Sequence, residues 1–345
     1  MSDREQNAWP VISIIGQTAT GKTDAALSLA NTLLAEAKIK NILISGVDLI
    51  SADSRQVYKG LEIISGADIP AGWDLDKHQN LPFQFFQQNN GLLRLHGVAI
   101  IQADLEWSVG QFGRLVKSVV KLAEKENRVV ILVGGTGLYH QSALKNDWQL
   151  QVPPDSITRE KATAMTVLEL QKWVESSAPE DYQKLNESDK SNPRRLVRVL
   201  EKHLFTSKNN LRNDRGSSLQ INSQPQQMYF GLKSKETDIS FKIRKRVESR
   251  IIQGVFKEIE KLISISASDQ ALTTLGVSQI GQLMRGEITK EECIDQWTQA
   301  EISYSKRQQT WWQGKDFVKW IDQNDANWLN QLQTIVLQEL FRYNQ

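Results

Sequence analysis

Val11-Ile12-Ser13-Ile14-Ile15-Gly16-Gln17-Thr18-Ala19-Thr20-Gly21-Lys22-Thr23 joins a β-branched apolar run directly to G-x-x-x-x-G-K-T. Glycines at both ends of the loop let successive backbone N–H groups turn inward, Lys22 adds a charge for terminal phosphates, and the Thr23 hydroxyl can hold Mg²⁺. A helical pattern follows at once, from about Lys22 to Ala37, with Ala26, Leu29, Ala30 and Leu33 on one face. Its N-terminal dipole faces the same anion. Strand before and helix after argue against an accidental loop. Gly16, Gln17, Thr18, Ala19, Thr20, Gly21, Lys22 and Thr23 are therefore expected to cradle a di- or triphosphate.

Outward from the cradle, Ile42-Leu43-Ile44 and Val47-Asp48-Leu49-Ile50 read as further strand signals. Val129-Val130-Ile131-Leu132-Val133 is an uninterrupted apolar strand of the kind buried on both faces, and it ends in Gly134-Gly135-Thr136-Gly137. Parallel sheets place ligands outside the carboxyl ends of their strands, so this turn and the cradle are expected to face one crevice. Asp53, in Ser51-Ala52-Asp53-Ser54-Arg55-Gln56, stands at such a strand end too. A carboxylate there has two rival roles, magnesium ligand through water or general base.

Leu81 to Phe86 and Leu92 to Ile101 flank Gln87-Gln88-Asn89-Asn90-Gly91, the pattern of a hairpin with an Asn-Gly turn, expected to be an accessory flap. From Pro153-Pro154 to about Leu204 the pattern is helical and amphipathic; Ser207 to Gln227 is a polar loop; Met228 to Leu232 returns as a strand. The rest is helical to about Trp312, with Phe317 to Trp320 as a short strand. The expected fold is α/β, a P-loop NTPase-like parallel sheet flanked by helices, with a helical insertion domain and a helical C-terminal part. Its segments are 10–145 (first part of the core), 150–210 (insertion) and 225–325 (return to the core plus C-terminal helices), with 1–9 and 326–345 as flexible or peripheral tails.

The chain has 345 residues, 40% of them hydrophobic, and a formal net charge of +2. No stretch approaches the roughly 18 uncharged apolar residues of a membrane span, and MSDREQNAWP lacks the regions of a signal peptide, so cytoplasmic residence without membrane attachment is expected. The single cysteine, Cys293, excludes an internal disulfide and a thiolate zinc cluster, and it reads as a buried helix residue. Charge is uneven. Arg194, Arg195, Arg198, Lys202, Lys208, Arg212 and Arg215 outweigh Glu201 and Asp214, and Lys242, Arg244, Lys245, Arg246 and Arg250 outweigh Glu248. Such excess attracts a polyanion or marks a solvated helix face.

Taken together and in order, GQTATGKT, SADSRQVYKGLEI, VGGTGLY, NPRRLVRVLE and YSKRQQTWW resemble the tRNA dimethylallyltransferase (tRNA isopentenyltransferase) family over about residues 11 to 320. With no cysteines for a C-terminal zinc finger, the chain is similar to the bacterial form. The resemblance implies transfer of a dimethylallyl group from its diphosphate to N6 of the adenosine 3′-adjacent to the anticodon. The partners implied are the tRNA anticodon stem-loop and dimethylallyl diphosphate, with Mg²⁺ as cofactor and a monomer as the working unit. Lys22 and a Mg²⁺ at Thr23 would stabilise the departing diphosphate, and Asp53 would accept the N6 proton. Ser54, Arg55, Gln56 and Thr136 would touch the tRNA beside Asp53, as would Arg194, Arg195 and Arg198 as phosphate clamps and Lys306, Arg307 and Gln308; Trp311 and Trp312 are assigned mainly to packing.

The family usually carries an arginine where Lys242 stands, to neutralise the diphosphate, and Arg246 is expected to compensate. Its usual Thr-Arg is Glu301-Ile302 here, its Lys-Pro is replaced by Asp68-Ile69-Pro70, and its His-His-Leu-Ile-Asp is reduced to His96-Gly97-Val98-Ala99. Two alternatives remain open. One is a P-loop nucleoside or small-molecule kinase, in which Asp53 deprotonates a hydroxyl. The other is a tRNA-binding module with lost or weak turnover, which Lys242 and Ile302 favour.

Overall fold

The computed structural model describes residues 9–67, 69–145, 147–150, 152–208 and 225–343, and turns the opening apolar run into strand β1 (Val11–Gly16), buried throughout. The cradle then leads into α1 (Lys22–Ile39). β2 (Gly46–Ser51), α2 (Glu62–Ser65), β3 (Asp74–Asp76), β4 (Phe85–Gln88) and β5 (Leu93–His96) follow, then α3 (Val109–Glu126), β6 (Arg128–Gly134) and α4 (Gly137–Ser142). Next come α5 (Ser156–Thr163), α6 (Val167–Ser177), α7 (Pro179–Gln183), α8 (Glu187–Lys190) and α9 (Pro193–Lys208). The chain then forms β7 (Gln227–Lys233), α10 (Glu236–Ile252), α11 (Phe256–Ile263), α12 (Asp269–Leu272), α13 (Val277–Met284), α14 (Lys290–Trp312), β8 (Val318–Asp322) and α15 (Trp328–Tyr343).

All eight strands share one sheet in the order β3-β4-β5-β2-β6-β1-β7-β8, parallel from β5 to β8 and antiparallel at the β3-β4 and β4-β5 pairs. The period-2 geometry of a strand sends alternate side chains to opposite layers. In β6, Val130 and Leu132 enter the apolar layer with α3, while Val129, Ile131 and Val133 enter the layer with α1. Both faces are covered, as a parallel sheet requires.

The chain divides into two compact units, residues 146–224 and a larger one formed by 1–145 and 225–345. The smaller unit is helical, closed around Ala162, Leu170, Val174, Leu196 and Leu200. Arg212 and Arg215 of the basic stretch, most of the polar loop expected over 207–227, nearly all of the expected N-terminal tail, and Asp68 lie outside the described residues. No helix among the described residues is long and apolar enough to cross a membrane.

Three expectations change. The hairpin exists, with left-handed Asn89, Asn90 and Gly91 at its turn, but it is no flap: β5 pairs in parallel with β2, so the hairpin forms one edge of the main sheet. Leu93 and Leu95 drive this by burial in the layer with α1. Ile42-Leu43-Ile44 is not a strand, since β2 begins at Gly46 and Leu43 stays 71% exposed. Residues 326–343 are not a peripheral tail, because α15 packs on α1 with Leu332, Val336 and Leu340 fully buried. Those side chains recur every fourth residue and form one apolar stripe.

Candidate active site

The cradle bends where its residue types allow. Gly16 has φ of 150° and Gly21 of 68°, and Ala19 takes a left-handed φ of 65°, a conformation that costs energy for a residue with a Cβ. Gly21 caps α1 without any side-chain hydrogen bond. The first N–H groups of that helix thus lack a side-chain cap and point at the space where an anion would sit. Lys22 Nζ donates to Gln17 O at 2.5 Å, and Thr20 Oγ1 donates to the same carbonyl at 2.8 Å. Burial, helped by the charge of Arg246 and opposed by Asp53, pushes Lys22 down to about 7.

A cavity of about 520 Å³ opens over this loop. Ala19, Gly21, Lys22 and Thr23 line one side, the carboxyl ends of β2 and β6 line the floor through Ser51, Asp53, Gly134 and Gly135, and α10 and α14 supply the opposite wall. Asp53 is held by its own turn: Oδ1 accepts the Arg55 N–H at 2.8 Å. Ser54, Arg55 and Gln56 line the same cavity. Gln56 accepts from Ser51 Oγ at 2.6 Å and donates to Gly66 O at 2.8 Å, while the Arg55 guanidinium bonds to Gln270 O and to Thr273 Oγ1.

Beneath the floor, His140 fixes the end of β6. Its Nε2 lies 3.2 Å from Gly134 O and its Nδ1 3.2 Å from Ser13 Oγ, which accepts from Gln227 Nε2 at 2.7 Å. Burial pushes His140 down to about 3, so the ring is neutral. The Gly134 carbonyl selects the tautomer with hydrogen on Nε2, leaving Nδ1 to accept from Ser13.

The opposite wall is basic. Lys242, Arg246 and Arg250 project from α10, and Arg307 projects from α14. Arg246 and Arg250 are four residues apart and share a helix face. Both guanidinium groups lie against Gly66, where a Cβ would come within 2.1 Å of Arg246 Nη2 and 2.2 Å of Arg250 Nη2. That glycine also has φ of 62°. Arg246 Nη2 donates to Gly66 O at 3.0 Å, and Arg250 Nη1 pairs with Glu301 at 2.8 Å.

The remaining expected residues separate. Thr136 is half-buried as the N-cap of α4. Lys306 and Arg307 are exposed, the latter over the Tyr304 ring, whereas Gln308 is buried. Gln308 Oε1 accepts from Thr18 N at 2.7 Å and from Thr18 Oγ1 at 3.1 Å, so it ties α14 to the cradle. The Thr18 N–H is thereby aimed at α14 rather than into the cavity. Trp312 is fully buried, and Trp311 is 39% exposed against Gly137. Cys293 is buried, as expected.

In the smaller unit, Arg198 is committed to structure: it bonds Glu201 at 2.9 Å, Val152 O at 2.8 Å and Gln149 O at 3.0 Å. Arg195 pairs with Asp189, and Arg194 is exposed.

Tyr304, Arg250 and Glu301 belong to the cavity wall, although sequence reasoning does not single them out as site residues. Burial holds the Tyr304 phenol above its ordinary range, the charge of Asp53 adds to this, and the polar side chains of Thr136 and Gln308 oppose it. Position in α14 is the available signal, since Glu301, Tyr304 and Gln308 recur at helical spacing.

The family model described as IPP transferase matches residues 85–315. The tRNA dimethylallyltransferase of Thermoanaerobacter sp. (strain X514) is 27% identical over 340 residues, spanning 96% of this chain and 98% of its own. That of Staphylococcus aureus (strain MRSA252) is 26% identical over 334 residues, spanning 95% and 97%. The full-length tRNA isopentenylpyrophosphate transferase of Bacillus halodurans matches in structure with a TM-score of 0.60 at 24% identity, over 97% of this chain and 98% of that one. A eukaryotic dimethylallyltransferase acting on tRNA matches with a TM-score of 0.67 at 19% identity, over 97% and 80%. At these identities the structural likeness speaks for the fold.

Proposed function

The chain belongs to the IPP transferase family, and from that premise we propose that it transfers a dimethylallyl group from dimethylallyl diphosphate to N6 of the adenosine 3′-adjacent to the tRNA anticodon. One observation carries the reading to this chain's own residues: the uncapped N-terminus of α1, the Lys22, Lys242 and Arg246 charges and the Asp53 carboxylate share one cavity. A cradle of this kind suits a leaving group as well as a nucleotide. As the allylic carbon–oxygen bond breaks, negative charge grows on the diphosphate, and preorganised N–H groups and cations stabilise it. N6 forms the new bond to the allylic carbon, its proton passes to Asp53, and diphosphate leaves.

The donor set also fits Mg²⁺. Among the described residues no group of three or more His, Cys, Asp or Glu could hold a metal, but Mg²⁺ bound with phosphates needs few protein ligands. Thr23, with Asp24 in the same cavity, would hold it, and it would add charge neutralisation at the phosphate oxygens.

The target adenine must leave its stack to reach Asp53, which a loop permits more cheaply than a duplex. In this reading Ser54, Arg55, Gln56 and Thr136 receive the nucleotide, and Lys306, Arg307, Arg194 and Arg195 meet tRNA phosphates. Gln308 and Arg198 support those surfaces from beneath instead of touching RNA. The enzyme would work as a cytoplasmic monomer.

The test is mass spectrometry of digested tRNA after incubation with protein, Mg²⁺ and dimethylallyl diphosphate. Isopentenyl-adenosine beside the anticodon is expected, with Asp53→Ala slowing its formation by about 10² to 10⁴. Tight tRNA binding without product would point to a module that has lost turnover, and ATP consumption on a nucleoside would point to a kinase.

A further inference from the structure

The last turn of α14 ends in two tryptophans that the fold treats differently. Trp312 is fully buried against His140 and Tyr229, whereas Trp311 stays 39% exposed. The five-membered edge of the Trp311 indole lies on Gly137, the first residue of α4, where a Cβ would come within 2.0 Å of Cδ1 and 2.1 Å of Nε1. A flat, part-exposed ring therefore sits beside the Gly-Gly-Thr-Gly turn, next to Thr136. Packing accounts for Trp312 and leaves the exposed part of Trp311 unexplained.

Tyr304, Arg307 and Trp311 follow one another along one side of α14 at helical spacing, and Lys315 comes just past the helix end. The Arg307 guanidinium lies 5.6 Å from the centre of the Tyr304 ring, and Lys315 Nζ lies 5.9 Å from the centre of the Trp311 ring. Tyr304 and Arg307 line the cavity. The row thus leads away from the cavity as ring, cation, ring, cation, the alternation that suits a single strand of nucleic acid.

We propose that Trp311 is a stacking platform for an unpaired base of the tRNA anticodon loop, one that flanks the adenosine entering the cavity. The inference rests on the prenyl-transfer reading and adds a specific contact to it. Drawing the target adenosine out of the loop removes a stacking partner from its neighbours, and a ring at the turn that receives it restores one. Stacking on an aromatic face tolerates any base, while Arg307 and Lys315 on either side of the ring complement the charge of the backbone.

Fluorescence anisotropy of the full-length protein with an unmodified anticodon stem-loop tests this. Trp311→Ala is expected to bind about tenfold more weakly, within the range of one lost base stack, and Trp311→Phe within about threefold of wild type. Stem-loops with an abasic site 5′ or 3′ of the target adenosine separate stacking from a structural role. At the stacked position the missing base should weaken wild type about tenfold and Trp311→Ala by less than twofold. Trp311→Ala binding as tightly as wild type overturns the proposal, which is also the result if the exposed ring serves a protein partner. A loss in Trp311→Ala that is the same on intact and on both abasic RNAs, as a purely structural tryptophan would give, shows in wild type as an unmatched penalty for each missing base and overturns it too. If Trp311→Ala does not fold, Trp311→Leu, which keeps apolar bulk without a flat ring, decides by the same comparison. Isopentenyl-adenosine formed by wild type with unmoved RNA affinity in Trp311→Ala removes only this inference; a wild type that neither binds the stem-loop nor forms product removes the prenyl-transfer reading with it.

Discussion

Gly135→Ala should loosen the cradle from a position outside it, through Gln308. Gly135 is not among the glycines with left-handed φ, so alanine is acceptable to its backbone. The added Cβ, however, would lie 1.9 Å from Gln308 Nε2 and 2.6 Å from its Cδ. Gln308 is 5% exposed and cannot keep its place, so both hydrogen bonds from Thr18 to Oε1 break. At about 0.5–1.5 kcal/mol net for each bond, the cost is about 1–3 kcal/mol. Gln308→Ala removes the same two bonds and empties the space that the new methyl group needs. The double variant should therefore be no less stable than Gln308→Ala alone, to within about 0.5 kcal/mol, leaving a coupling energy of about 1–3 kcal/mol. Urea denaturation of wild type, both single variants and the double variant measures this cycle. If the two costs simply add, Gly135 does not press on Gln308, and α14 does not hold the cradle through that side chain.

Lys22, held near 7 by burial and by Arg246, should regain its proton when diphosphate arrives, because the anion stabilises the ammonium form. Calorimetry in buffers of differing ionisation enthalpy should show a proton uptake, relative to Lys22→Met, that grows as pH rises above about 7; identical values in the two proteins would contradict it. The same depressed pKa means the unfolded chain binds more protons from pH about 7 up to the ordinary lysine range, so the Lys22 contribution makes stability rise with pH there. Lys306→Ala and Arg307→Ala should each weaken tRNA binding and flatten its dependence on log salt by about 0.7–0.9 for each phosphate that the side chain neutralises, with diphosphate affinity retained in Lys306→Ala, whose side chain does not line the cavity; filter binding at several salt concentrations reads this, and an unchanged slope removes the assignment. Leu332→Ala should cost about 2–5 kcal/mol, since the side chain is fully buried between α15 and the sheet layer of α1. A cost near zero in denaturation would mean that α15 contributes nothing to the core.

Local patterns made much of the fold legible. β1 and β6 announced themselves because strands buried on both faces read as continuous apolar runs, and the glycine spacing of the cradle states its own backbone requirement. The hairpin turn was legible for the same reason: Asn89, Asn90 and Gly91 are residue types that tolerate the left-handed region. What it pairs with was not, because the β5–β2 ladder joins segments far apart in sequence and leaves no local trace. The last helix is a different case. Leu332, Val336 and Leu340 do mark one face, but Asn330, Gln331 and Gln333 around them resemble the polar composition of a tail, and only packing against α1 decides between the two.

Charge was the least legible property, and the reason is geometric. The excess of lysine and arginine in residues 242–250 suggests a surface ready for a polyanion. Folding directs several of those charges elsewhere: Arg244 bonds Asp295 and Glu291 on α14 and lies 3.2 Å from Glu248, and Arg250 is paired with Glu301. Arg198 in the smaller unit is likewise taken up by Glu201. A count along the sequence cannot separate cations that brace helices from cations that face a ligand, since their carboxylate partners come from other elements. Lys242 and Arg246 line the cavity with Lys22, Arg246 with its guanidinium on the Gly66 carbonyl, and in the proposed reading these three would meet a diphosphate. The chemistry of the site therefore depends less on how many basic residues the chain carries than on which of them α14 neutralises.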